Sequence, residues 1–409
     1  MNMENNDLKI LNQIMSKRNV ENRTYYSYKS SLKNYIQFQG TTFEKLIKEA
    51  EKEQKAKISW YDKTIVKRLT AYRKYLYKNF MGTTAAARLN NIIRLYKACN
   101  IEMNELPYFN KKNAKYNDPL TWDDLATLNE LKEMIDISDP IVPAIFLFML
   151  SSACAKIDTL NVTILDFLKA TEPYHKIETY ENESEEEIII EILTKLFKHK
   201  KDMIPTFRLK RQKSRKYFTA YCSPEAVKAI VAYLISRTDK LSYNKRLFKI
   251  NQRYFDDKFK EANNKLARFK TREKKRFTSH MLRRMNASLL YKNNYLDTSE
   301  EYKIALEKDQ IEALHGRSKG DSIEVAYYKD NPEILRNLYI RALPLITVSH
   351  EYTNEELNDI INFESEKKAD DKTEAIRKEL DEKTKSEKAM KEEINDLKKT
   401  QDLILSKLN

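Results

Sequence analysis

Apolar residues recur at steps of three and four through most of this chain, and the stretches that break the rhythm divide it into four parts. Residues 1–20 are polar and read as a frayed lead-in. Tyr25, Tyr28, Leu32 and Tyr35 predict a helix over 24–37, and Phe43, Leu46 and Ile47 a second from about Thr42. Ile65, Leu69, Tyr72 and Leu76 make the stripe of a third over 62–79. Leu89, Ile92, Ile93 and Tyr96 make that of a fourth over 84–99, with Thr83 and Thr84 as cap candidates. The rhythm lapses from Pro107 to Pro119, a polar and basic linker. It resumes with a helix opened by Thr121, Trp122, Asp123 and Asp124 and running to about Met134, then a continuous apolar run from Ile141 to Ala155. At about 15 residues, that run is too short to span a bilayer and reads as a buried helix.

Further along, the acidic stretch 180–187 reads as a solvated loop. Segments 206–213 and 216–222 alternate like two strands about a turn at Ser214 and Arg215. Helices follow over 224–237, 252–269, 280–291 and 307–315, and 343–348 reads as a short strand or an extended packing segment. From about Asn354 the pattern narrows. Ile376, Leu380, Met390, Ile394, Leu397, Ile404 and Leu408 form a seam with Lys383, Glu387 and Gln401 as weak positions, a coiled coil that would join copies of the chain, with a lone solvated helix as the alternative. The expected division is therefore a helical domain over 1–106, a linker over 107–120, a mainly α domain with a small β-hairpin over 121–348, and a coiled-coil tail over 349–409.

Composition narrows the function. The chain has 409 residues and a net charge of +14, which favours a polyanionic partner, nucleic acid before membrane. With 4 glycines there is no glycine-rich phosphate loop. The three cysteines, Cys99, Cys154 and Cys222, stand far apart, and five histidines make a metal centre improbable; no cofactor or metal is expected. The N-terminus has no signal-peptide apolar core, so a cytoplasmic, nucleoid-associated protein is expected. Arg68, Arg73, Lys74, Lys78, Arg88 and Arg94 lie on the third and fourth helices, where they form either a solvated face or, with Lys210 and Arg284 from the second half, a surface for the phosphates of a nucleic acid.

One spaced set carries chemistry. His280 and Arg283 lie one helical turn apart, Gly316, Arg317, Ser318 and Lys319 follow about 35 residues on, and Tyr327 and Tyr328 come about ten residues later. Arginine forks bind the non-bridging oxygens of a phosphodiester, and a tyrosine hydroxyl beside them can attack phosphorus. This order resembles the tyrosine recombinase (phage integrase) family, with an arginine after the glycine as in its archaeal branch. The resemblance covers roughly residues 20–348. It implies a helical DNA-clamp domain, an α+β catalytic domain, and a tetramer acting on two double-stranded DNA sites through a Holliday junction, for integration or excision of a mobile element.

The resemblance also implies residue roles. Tyr327, in the context Tyr327, Tyr328, Asn331, Pro332, would be the nucleophile, with Tyr328 the alternative. Arg283 and Arg317 would bind the phosphate, with His315 an alternative donor to Arg317, and His280 would assist. Lys213, at the hairpin, would protonate the departing 5′ oxygen. The first arginine of the family is missing: its position falls on Lys156, or on Ala155 in the bacterial register, ahead of matching Asp158, Leu160, Val162 and Asp166. Lysine keeps charge but lacks the bidentate fork. The alternative is thus a weakly active or non-catalytic recombinase-like DNA-binding protein. A type IB topoisomerase uses related chemistry, and a coiled-coil architectural protein is the further rival.

Overall fold

The computed structural model describes residues 5–112, 114–115, 124–175, 184–199, 202–213, 215–265, 278–292, 306–316, 332–349, 352–353 and 355–362, with scattered residues between 373 and 390. It is mainly helical, with one two-stranded antiparallel sheet among the described residues. The chain divides into two compact units, Met1–Pro119 and Leu120–Asn409.

The first unit is built from α1 (Asn5–Lys17), α2 (Asn22–Gln39), α3 (Phe43–Lys55), α4 (Thr64–Asn79) and α5 (Gly82–Ala98). The helices expected from Tyr25 to Tyr96 are present. Thr42 caps α3, its hydroxyl accepting from Lys45 N at 3.4 Å. Neither Thr83 nor Thr84 caps α5, which starts at Gly82 after Met81. The lead-in is the larger departure. α1 is a formed helix whose Leu11, Ile14 and Met15 enter the core, and buried Asp7 accepts from Glu44 N at 3.2 Å. These three apolar residues at helical spacing outweigh the polar majority around them. The core is tyrosine-rich. Tyr35, Tyr72 and Tyr96 are fully buried, the Tyr35 and Tyr96 hydroxyls are 3.1 Å apart, and burial pushes the Tyr35 phenol far above its usual range. The start of the expected linker belongs to this unit: Leu106 and Phe109 pack against its core, and Pro107 O accepts from Arg73 at 2.7 Å.

The second unit starts, among the described residues, with α6 (Leu128–Asp136), closed by a reciprocal Thr127/Glu130 capping box. The expected helix start at Thr121 lies outside the described residues. α7 (Ile141–Ser152) is buried almost all round, as its unbroken apolar run requires. It ends at Ala153, whose φ of +50° is the left-handed conformation that terminates helices. Short α8 (Lys156–Thr159) and α9 (Ile164–Thr171) follow. The acidic stretch read as a loop is in part a helix. Glu185, Glu186 and Glu187 form the first turn of α10 (Glu185–Lys198), capped by Ser184, and 176–183 lie outside the described residues. Carboxylates in a first turn suit the positive end of the helix dipole. Glu186 and Glu185 also accept from Leu241 N at 2.9 Å and Tyr243 N at 3.2 Å.

The hairpin consists of β1 (Thr206–Lys210) and β2 (Tyr217–Tyr221), paired from Thr206 with Tyr221 to Lys210 with Tyr217. Phe207 and Leu209 face the core while Arg208 and Lys210 face out. α11 (Pro224–Ile235) and α13 (Ser279–Lys292) pack on α7; α12 (Gln252–Lys265) and α14 (Lys308–Leu314) complete this layer. The C-terminal segment, α15 (Pro332–Arg341) and α16 (Leu343–Ile346), packs on its own chain. Leu335, Tyr339, Ile340, Leu343 and Ile346 share a core with Ile204, Tyr221, Leu290, Ile311 and Leu314. The segment 343–348, expected as a short strand or an extended packing segment, thus begins with a helical turn over Leu343–Ile346, and Pro344 fits the first turn of such a helix. The start of the expected tail joins the same core through Tyr352, Leu357 and Ile360. Farther on, the seam residues Ile376, Leu380 and Met390 are exposed. Among the described residues, no helix is long and apolar enough to cross a membrane.

Candidate active site

The buried face of α13 brings two of the sequence-predicted residues together. Thr278 caps the helix, accepting from Met281 N at 3.1 Å, and Leu282 and Met285 anchor it in the core. That anchoring turns Arg283, only 5% exposed, inward. One terminal nitrogen of Arg283 donates to Ala153 O, at the left-handed end of α7, and the other to His315 O at 2.7 Å. One turn on, Asn286 donates to Leu150 O at 2.7 Å, and its amide oxygen meets His315 Nε2 at 2.7 Å. His315 is 2% exposed, so its ring braces the turn from inside. His280 and Arg284, on the same helix, are exposed.

Gly316 follows in a left-handed conformation, φ +59°, and a β-carbon there would lie 2.7 Å from the Phe218 ring of β2. The glycine of the motif therefore lets the turn close against the hairpin. From the hairpin side Arg211 reaches the same turn: its Nη1 donates to Gly316 O at 2.5 Å, and its Nε lies 4.0 Å from Asp158 Oδ2. Asp158 is buried and accepts from Gln212 N at 2.9 Å. Arg283 and Arg211 thus hold the adjacent carbonyls of residues 315 and 316. Burial pushes the Cys154 thiol up to about 11, and both arginines are near enough to pull it back.

Sequence reasoning passed over Arg211 in favour of Lys213. The signal was the strand alternation: with Phe207 and Leu209 inward, position 211 falls on the inward face, whereas Lys213 is exposed in the turn. Lys156 does not join the cluster. Its ammonium is 2.5 Å from Asp256 Oδ1 and 5.2 Å from the Phe255 ring centroid, so it is held by α12. Arg317, Tyr327 and Tyr328 lie outside the described residues.

The residues expected to meet DNA from the first unit divide into two kinds. Arg68 is bound bidentately to Glu49, at 2.8 and 3.2 Å, and to Gln39. Arg73 is buried, with its guanidinium 4.8 Å from the Phe109 ring centroid, and Arg88 stacks 4.2 Å from that of Phe80. These three serve the unit's own packing. Lys74 is exposed, and with Lys67 and Lys78 it forms a stripe along α4. No aspartate or glutamate occurs between Lys63 and Ile101, so α4 and α5 carry no acidic side chain of their own. In the second unit, Lys210 lies outward on β1, its ammonium 5.7 Å from the Tyr217 ring centroid.

Neither a protein-family model nor a curated protein matches the chain. Among solved structures it is similar to a XerH site-specific recombinase bound to palindromic difH substrate in a post-cleavage complex, at 14% identity and TM-score 0.43, covering 87% of this chain and 83% of that one. A pre-cleavage complex of XerH with difH substrate is similar at 15% identity and TM-score 0.38, over 72% and 69% of the two chains. The XerA recombinase is similar at 16% identity and TM-score 0.28, over 88% and 98%. Likeness at these identities and TM-scores says nothing of the chemistry of this site.

Proposed function

We propose that this protein is a tyrosine-type site-specific DNA recombinase, cutting and rejoining DNA through a 3′-phosphotyrosine. The observation that carries the reading is the convergence of three distant sequence elements. The helix with His280 and Arg283, the His315–Gly316 turn that leads into Arg317, and the basic hairpin meet around two guanidinium groups. Guanidinium forks suit the planar, charged oxygens of a phosphodiester.

In this reading the Tyr327 oxygen attacks the scissile phosphorus and loses its proton. The phosphorus–5′ oxygen bond breaks, and the departing oxygen takes a proton from Lys213. Arg283 and Arg317 neutralise charge that builds on the phosphorane-like transition state, a role that needs no metal. Exposed His280 approaches the same phosphate from solvent. The 5′ hydroxyl of a partner strand then attacks the phosphotyrosine and frees the tyrosine. The lysine stripe Lys67, Lys74 and Lys78, with outward Lys210 and Arg284, would hold the duplex through its phosphates. A tetramer on two DNA sites and a mobile-element role complete the reading, with the tail seam as a contact between copies.

A second reading is favoured by one observation: neither Ala155 nor Lys156 brings an arginine to the site, and Lys156 is bound to Asp256. The protein would then grip DNA without cutting it. A nicked duplex taken from the DNA flanking the gene, run with the protein on a denaturing gel, separates the two. A covalent adduct that vanishes in Tyr327→Phe supports the recombinase. An adduct that persists in Tyr327→Phe but vanishes in Tyr328→Phe moves the nucleophile by one residue. Tight binding with no adduct supports the second reading.

A further inference from the structure

We propose that Arg211 is a phosphate-binding residue of this site, supplying beside Arg283 and Arg317 the guanidinium that neither Ala155 nor Lys156 provides. That the phosphate is the scissile one rests on the recombinase reading; that Arg211 meets a DNA phosphate does not.

The position argues for it first. Arg211 follows Lys210 on the parity of inward Phe207 and Leu209, and its guanidinium lies 5.9 Å from the Phe218 ring centroid, against the hairpin. Its backbone is pinned, with Arg211 N donating to Lys216 O and Arg211 O accepting from Arg215 N, both at 2.8 Å. Its guanidinium therefore starts from a fixed base, unlike the exposed lysine of the turn.

The company it keeps argues second. Its carbonyl partner, Gly316 O, is adjacent to the one Arg283 holds, so two forks flank one turn whose next residue is Arg317. Its carboxylate partner, Asp158, stands at 4.0 Å, which compensates charge without forming a close bidentate pair. The Arg211 side chain is 22% exposed, so it is both anchored and open to a ligand. Asp158 does not depend on it alone, because Gln212 N occupies its other oxygen at 2.9 Å. A phosphate oxygen arriving at the turn could take up the remaining donors of Arg211 while Asp158 keeps the fork oriented. A lysine could not do this, having no planar fork to share between a carbonyl, a carboxylate and a phosphate.

The test uses the full chain. Binding to the gene-flanking duplex is measured against potassium chloride concentration, and cleavage is measured on nicked duplexes whose scissile phosphate, a few nucleotides from the nick, is either normal or replaced by a methylphosphonate, which lacks the phosphate charge. Arg211→Gln is expected to flatten the logarithmic salt slope by about one, the signature of a lost phosphate contact. It is also expected to slow cleavage of the normal duplex by about 100-fold, as loss of one preorganised donor does. Most of that loss should disappear on the methylphosphonate duplex. Arg211→Lys should keep the salt slope and the folded state, cleave the normal duplex slowly, and be rescued in the same way, which covers the case in which Arg211→Gln fails to fold. An unchanged salt slope in Arg211→Gln, or an equal loss on both duplexes, overturns the assignment. If the unsubstituted chain forms no adduct at all, the recombinase reading falls, and the salt slope alone decides whether Arg211 meets a phosphate.

Discussion

Gly316 and Gly40 have nearly the same left-handed backbone, φ +59° and +66°, but different surroundings. A β-carbon at Gly40 would meet nothing within 4 Å, whereas one at Gly316 would meet the Phe218 ring at 2.7 Å. Gly40→Ala should therefore cost only the backbone term, about 1 kcal/mol. Gly316→Ala should cost about 1–3 kcal/mol more, because Phe218 must move. Urea unfolding of the two variants checks this, and equal costs would mean the turn is not pressed on the hairpin. Asp239 offers a pH test at the same scale. Hydrogen bonds from Arg237, then its charge and hydrogen bonds from Lys249 and Lys245, hold its carboxyl well below the usual carboxylate range. A depressed folded value gives stability that is present above the unfolded value, about 4, and lost as pH falls through the folded one. Asp239→Asn should melt below the unsubstituted chain at pH 7, and the gap should start to narrow below about pH 4 and go on narrowing as the pH falls further. A gap that does not narrow between about pH 4 and pH 2 would assign the effect to something other than the carboxylate charge. Residues of this kind were unevenly legible. Arg283, His315 and Gly316 stand in a recognisable order, but Arg211 is one of several cations in 210–216, and only strand parity marks it out.

At the scale of elements, periodicity gave α2 to α5 to within a few residues because their apolar stripes are uninterrupted. It failed where polar residues dominate. α1 carries Leu11, Ile14 and Met15 among asparagines and lysines, and α10 opens with three glutamates that resemble a loop but satisfy its first turn. Since Leu11 is fully buried, Leu11→Ala should destabilise the chain by about 2–5 kcal/mol, a value that a frayed lead-in would not give. Chemical denaturation measures it, and a change below about 0.5 kcal/mol would restore the frayed reading. The same level separates the cations of α4. Arg68 and Arg73 are consumed by packing, so substituting them should lower stability. The exposed stripe Lys67, Lys74 and Lys78 should instead leave stability nearly unchanged when replaced together by glutamine. If all three meet phosphates, the logarithmic salt slope of DNA binding should fall by about 3. A slope that stays constant would remove α4 from the interface.

The whole molecule shows which segments belong to its folded mass, and the tail makes the point. Sequence pattern marked 349–409 as one segment because charged residues become dense there, but charge density does not reveal what a few apolar residues touch. Tyr352, Leu357 and Ile360 belong to the same core as Leu343 and Ile346. Ser349 donates its hydroxyl to Glu225 at 2.8 Å, and the Val348 and Ser349 amides reach the same carboxylate at 3.0–3.1 Å. By contrast, Ile376, Leu380 and Met390 are exposed by more than half. Ending the chain after residue 362 should therefore leave its melting temperature within a few degrees of the full chain. Ending it after residue 348 removes three buried side chains worth about 1.5–3 kcal/mol each from the core they share with α16. That shorter chain should melt far lower, and a pair of truncations followed by calorimetry decides the matter. Similar melting of both would detach 352–362 from the core, whereas a large loss on cutting after 362 would mean that the seam beyond it already stabilises the molecule, as a contact between copies would. Sedimentation of the chain ending at 362 separates that last case, because a seam that joins copies must take the oligomer with it when it is removed.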